Sequence, residues 1–253
     1  NPWSALAADL VRLHVDVILA GHTVAALGAK QATTTIPIVI GAAGGDPVAD
    51  GLVASLARPG GNITGLSFLG TELSPKRLEL LKESIPKLSR VTVIWHPGYP
   101  RNDEIQREDI KTTAGSLAVK LQSLPVRERN DFDIAFHTAR QEKAGAALIS
   151  QGAFFGTHRA HIAALGLKFR LPTIAGEADY AESGGLMFYG QNIPNTWRRA
   201  ASYVDKILKG TKPANLPVER ATKFELIINL KTAKQIGITI PPNVLARADK
   251  VIR

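Results

Sequence analysis

The chain has 253 residues, 45% of them apolar, and carries 31 Lys and Arg against 22 Asp and Glu for a net charge of +9. It has no cysteine, which excludes disulfides, thiol nucleophiles and cysteine-ligated metals, and its apolar content is enough to build real cores. The basic residues are scattered as singles and pairs such as Lys76-Arg77 and Arg198-Arg199, and aromatics make up only 6%, so no nucleic-acid partner is expected.

Strand-like apolar runs alternate with segments of helical period from end to end, the pattern of a parallel sheet covered by helices. Strands are predicted at Val15–Ala20, Ile36–Ile40, Ile63–Leu66, Val91–Trp95, Val119–Leu124, Ala146–Ile149, Pro172–Ala175, Leu186–Tyr189 and Phe224–Asn229. Helices are predicted near Ser4–Leu13, Val24–Ala32, Val48–Ala57, Pro75–Ser84, Glu104–Leu117, Phe132–Gln141, His158–Leu167 and Trp197–Leu208, with a short one at Leu230–Ile236 closed by Gly237. No apolar run approaches the ~20 residues of a membrane span, and the first residues, NPWSALAADL, lack the basic start of a signal segment.

The fold class expected is α/β, with two doubly wound parallel-sheet lobes. Residues 1–86 with 190–213 form the first lobe, and 87–189 with 214–253 the second. The chain is expected to cross between lobes within Ile85–Arg90, near Gly185–Asn192 and between Gly210 and Lys223. Because it opens on a helix, the first lobe is expected to lack its leading strand and helix. Ser4–Leu13 then packs on the sheet through Leu6, Leu10 and Leu13, and the unpaired strand Val15–Ala20 invites pairing with another copy.

In such sheets ligands sit beyond the carboxyl ends of the strands. The most informative stretch is Gly44 to Ser67, GGDPVADGLVASLARPGGNITGLS, in which Gly44 and Gly45 allow close backbone approach, Asp46 suits a cap and Pro47 a first helical position. From the first lobe the expected ligand contacts are His22, Thr23, Gly45, Asp46, Ser67 and Phe68, and from the second His96, Gln151, Phe154, Phe155, Asp179 and Tyr180. Each has a plainer structural reading as a cap or packing residue. The constellation suits a small anionic or zwitterionic guest.

Enzyme signatures are missing: no GxSxG, HExxH, GxxxxGK[ST] or GxGxxG occurs. His158 and His161 stand three apart on a predicted helix without a flanking acid, so neither metal nor cofactor is expected.

The segments LAADLVRLHVDVILAG (6–21), ATTTIPIVIGAAGGDPVADGLVASLARPGGNITGLS (32–67), ELSPKRLELLKESIP (72–86), RLPTIAGEADYAESGGLMFYG (170–190) and YVDKILKGTKPANLPVERATKFELIINLKTAKQIGITIPP (203–242), with the terminal ADKVI, cover most of the chain. They resemble the substrate-binding proteins of ABC transporters, in the branch that includes tryptophan- and tyrosine-binding lipoproteins. The resemblance implies a type I periplasmic binding protein fold whose two lobes close over a ligand by a hinge. It also implies periplasmic residence, no catalysis, and an ABC permease as partner. The chain departs from that pattern at His96, where the family often has Asn, at Gly152-Ala153, where an acid or Ser with Pro is usual, and at Ala178-Asp179-Tyr180, in place of Arg-Glu-Phe. An amino acid or a small aromatic or organic acid is the expected ligand. The effector-binding domain of a LacI-type regulator, which shares the fold, is the alternative.

Overall fold

The computed structural model describes residues 2–67, 73–98, 108, 110–220 and 223–253. Along the chain run α1 (Pro2–Arg12), β1 (Ile18–Ala20), α2 (Thr23–Ala32), β2 (Ile38–Ala43), β3 (Ile63–Ser67), α3 (Leu73–Ser84), β4 (Arg90–Trp95), α4 (110–116), β5 (Lys120–Pro125), α5 (Asp131–Gln141) and β6 (Ala146–Ile149). There follow α6 (Ala153–Thr157), α7 (Arg159–Lys168), β7 (Thr173–Ala175), β8 (Met187–Gln191), α8 (Ile193–Leu208), β9 (Glu219–Arg220), β10 (Phe224–Asn229), α9 (Leu230–Ile236), α10 (Pro242–Leu245) and β11 (Lys250–Ile252). They form two compact units, Asn1–Leu69 with Gln191–Lys223 and Gly70–Gly190 with Phe224–Arg253. The architecture is the expected α/β class of parallel sheets with covering helices.

The first unit holds a four-stranded parallel sheet in the order β1-β2-β3-β9. Its centre is β2, a β-branched run with period-2 alternation. Ile38 and Ile40 join one core with Ile18, Ile63 and Val218, while Val39 joins a second with Leu66, Ala200 and Tyr203. All three side chains are fully buried, and each contributes about 1.5–3 kcal/mol by leaving water. Beside Ile40 the paired residue is Gly65, at φ +129°, where an added Cβ would lie 2.3 Å from the Ile40 carbonyl oxygen. Only glycine fits there.

Two expectations for this unit fail. Val48–Ala57 is not a helix: Asp46 caps a single turn, and Gly51, at φ +69°, ends it by turning its N–H back to the Val48 carbonyl. The apolar spacing there stabilises a turn, because a left-handed residue stops helix propagation. Nor does α1 pack through its leucines. Leu6, Leu10 and Leu13 are 57%, 37% and 73% exposed, and the buried residue is Ala7. Small side chains decide this: α1 approaches α2 at Gly28, where a Cβ would come within 2.8 Å of the Trp3 backbone.

The second unit holds a seven-stranded sheet in the order β11-β10-β8-β7-β6-β4-β5. Leu78, Leu80 and Leu81 of α3 belong to its core with Val91, Val93 and Ile174, so the expected boundary at Ile85–Arg90 falls inside this unit. There Pro86 merely turns the chain from helix to strand, with the Leu88 N–H bonded to the Ile85 carbonyl. Conversely, residues 214–220 lie with the first unit, because β9 pairs with β3. The strands β9 and β11 have no period to read; they exist because β3 and β10 offer them backbone partners. The helix α9 is as expected, with the Asn229 side chain accepting from the Thr232 N–H and Gly237 at φ +81° closing it.

Candidate functional site

At the carboxyl ends of the first unit's strands three expected residues meet. The Thr23 hydroxyl accepts from the Gly45 N–H at 3.4 Å, and the buried Ser67 hydroxyl donates to the Gly45 carbonyl at 3.3 Å. The backbone of Gly45 is thus clamped between β1 and β3 loop side chains. The space over Gly45 is filled by Asp50, whose Oδ2 would stand 2.3 Å from an added Cβ, so the close approach that glycine permits is made by the chain itself. Asp46 is exposed and its Oδ1 accepts from the Val48 and Ala49 N–H groups at 2.9 and 3.3 Å, which is the capping role. His22 is exposed and precedes α2 without capping it through its ring; its carbonyl accepts from the Ala26 N–H. Phe68 lies outside the described residues.

In the second unit the expected residues divide. The His96 ring packs 4.6 Å from Phe154 and its Nδ1 accepts from the Gly98 N–H at 2.8 Å. Phe154 also stacks on Phe132 at 5.4 Å and meets His158 at 4.9 Å. Asp179 is exposed and adopts φ +61°, a conformation Asp tolerates, with its carbonyl closing a turn to the Ser183 N–H. Phe155 and Tyr180 are not rim residues. Each is 1% exposed and part of the core, and the Tyr180 hydroxyl donates to Thr173 at 2.7 Å. The Tyr180 ring lies over Gly185, where a Cβ would come within 2.1 Å of it. Phe154 and Phe155, both in the short helix α6, pack on one core, which local sequence does not reveal.

Gln151 leads to the residues that sequence reading passed over. Its Oε1 accepts from Arg77 Nη2 at 3.0 Å, and Arg77 Nε donates to the Tyr189 carbonyl at 2.8 Å. Arg77 is completely buried, and its guanidinium fills the space over Gly176, where a Cβ would meet Nη2 at 2.0 Å. Burial lowers its pKa to about 10, so it remains charged at neutrality. Next to it, Glu177 accepts from the Gly152 N–H at 2.6 Å. Desolvation pushes the Glu177 carboxyl up to about 7, against the pull of that N–H, Arg77 and Arg159. The Ser150 hydroxyl is fully buried and finds no hydrogen-bond partner among the described residues, and the same holds for both amide atoms of Gln191. In LSPKRLELL, Arg77 looks like one charge on a solvated face; only the packing of α3 shows it facing inward.

Trp197, in α8, is 39% exposed. Its indole lies over Gly41, where a Cβ would come within 2.5 Å, and over Gly21. A depression of about 310 Å³ lined by Leu124, Arg127, Ile134 and Thr138 shares no residue with those expected at the site. Among the described residues no group of three or more His, Asp or Glu is placed to hold a metal ion.

A parallel α/β sheet with polar groups gathered beyond its strand ends defines a ligand-binding scaffold, and comparison with known proteins gives the family. Residues 3–252 match the ABC transporter substrate binding protein family, to which the chain belongs. A tyrosine-binding protein of Clostridioides difficile is 27% identical over 235 residues, covering 92% of this chain; the chain spans 66% of that protein's length, just under two thirds. Among solved structures, a conserved domain protein from Vibrio cholerae is 31% identical with a TM-score of 0.89, over 99% of this chain and 84% of that one. An ABC domain in complex with L-Trp from Streptococcus pneumonia is 25% identical with a TM-score of 0.87, over 99% and 85% of the two chains. The fold is therefore that of the type I binding proteins.

Proposed function

We propose that this chain is the solute-binding component of an ABC importer, working in the periplasm without catalysis, and that its ligand is a small carboxylate-bearing molecule, an aromatic amino acid first of all. The observation that carries this reading is the family match along residues 3–252, beside strand-end segments that carry hydroxyl and amide groups. Such groups suit a carboxylate. The relatives that bind tyrosine and tryptophan point to the side chain. The permease receives the loaded protein, and Thr23, Ser67 and Gln151 are the contacts we assign first. The same match favours this reading over a transcriptional effector domain.

The test is a thermal-shift screen of the purified chain against the twenty amino acids, benzoate, tryptamine and tyramine, followed by calorimetry on each hit. L-Trp or L-Tyr should raise the Tm, and the amines that lack the carboxylate should not. Stabilisation by tryptamine equal to that by L-Trp overturns the carboxylate assignment. A screen in which no amino acid or organic acid binds overturns the ligand class.

A further inference from the structure

The loop that carries Gln151 is held by a fully buried guanidinium and a part-buried carboxyl group that the proposed binding role leaves unexplained. Glu177 follows β7 and reaches across to the β6 loop, where its Oε1 accepts the Gly152 N–H at 2.6 Å. Its Oε2 occupies the space beside Gly156, 3.2 Å from where a Cβ would stand. From α3, Arg77 faces it and fixes Gln151 Oε1; from α7, Arg159 faces it and donates to the Gly156 carbonyl at 2.7 Å. The Gln151-Gly152 end of the 150–157 segment is thus tied to Arg77 and Glu177, and the Gly156 end to Arg159. The Gln151 amide, with its oxygen committed to Arg77, presents its N–H groups as donors.

We propose that Arg77 and Glu177 are positioning residues of the ligand site, Arg77 setting the orientation of the Gln151 amide and Glu177 seating the 150–157 segment on the strand ends in a proton-dependent way. The inference rests on the binding reading above for its purpose, but the proton dependence belongs to the unliganded protein. The direction follows from linkage. Seated, Glu177 is desolvated and its carboxyl is held up at about 7, whereas lifting the segment into water returns it to the ordinary value of 4.5. The neutral acid therefore favours the seated segment, and opening becomes easier as pH rises through neutrality.

Amide hydrogen exchange tests this on the free protein between pH 5.5 and 8.5, with each rate divided by its intrinsic value. In the wild type, protection of the 150–157 amides should fall with rising pH by roughly 30-fold over that range, the ratio set by the two carboxyl pKa values. In Glu177→Gln, which keeps an acceptor for Gly152 but cannot ionise, protection should not change with pH. The same pH course in both proteins, or a flat course in the wild type, overturns the proposal. A second arm measures L-Trp binding by calorimetry. In Arg77→Lys, shown by circular dichroism to be folded at the assay temperature, affinity should fall at least tenfold, and unchanged affinity there removes Arg77 from the proposal. Failure of L-Trp to bind the wild type counts against the ligand assignment, while the exchange course still decides the role of Glu177.

Discussion

Replacing Gly176 by alanine places a methyl group 2.0 Å from Arg77 Nη2 and 2.3 Å from its Cζ, distances at which one of the two must move. Gly176 sits on backbone just beyond β7, so the guanidinium is displaced. The displaced group gives up the bonds to the Tyr189 carbonyl at 2.8 Å and to Gln151 at 3.0 Å while remaining in the interior. Hydrogen bonds of a charged group are worth about 1.5–3 kcal/mol each, so losing both costs about 3–6 kcal/mol. At about 2–4 °C per kcal/mol for a unit of this size, the Tm should fall by roughly 6–24 °C. The control is Gly115→Ala in α4, where an added Cβ meets nothing within 4 Å. That change should hold or slightly raise the Tm, because alanine is the better helix former. Circular dichroism melts of the three proteins at pH 7 suffice. A Gly176→Ala protein melting within 2 °C of the wild type would refute the claim that the buried guanidinium is fixed in place.

Tyr180→Phe removes the hydroxyl that donates to Thr173 in the core and should destabilise by about 1–2 kcal/mol, read by urea denaturation, while L-Trp affinity stays within twofold. Because the Glu177 carboxyl is raised from 4.5 to about 7 in the folded chain, its contribution to stability is fully present below about pH 4.5 and is lost as pH rises through 7. The loss is at most about 3 kcal/mol. Denaturation midpoints across that range should show a decline in the wild type that Glu177→Gln lacks. Gly41→Ala puts a Cβ 2.5 Å from the Trp197 ring and should shift the indole, changing the near-ultraviolet circular dichroism and tryptophan emission without loss of secondary structure. Unchanged spectra would remove Trp197 from its glycine seat.

The amino-acid sequence by itself determined the alternation of strands and helices, because β-branched runs such as Ile36–Ile40 and the caps at Asn229 and Gly237 act through neighbours a few residues away. It also located the strand-end loops, and with them Thr23, Gly45 and Ser67, since in a parallel sheet every such loop emerges on the same edge. Tertiary structure alone decided which side of each segment turns inward. The α1 helix offered a regular leucine stripe, yet its backbone at Trp3 came in close against Gly28, Ala7 was the residue buried, and the leucines stayed exposed. Phe155 and Tyr180 lie in stretches of ligand-site composition and went into the core, where Phe132, from another helix, receives Phe155 and the Thr173 hydroxyl receives Tyr180. Arg77 and Glu177 carry ordinary surface-type side chains. What sets them apart is desolvation and each other's charge across a hundred residues of chain, and a long-range electrostatic pairing leaves no local pattern to read.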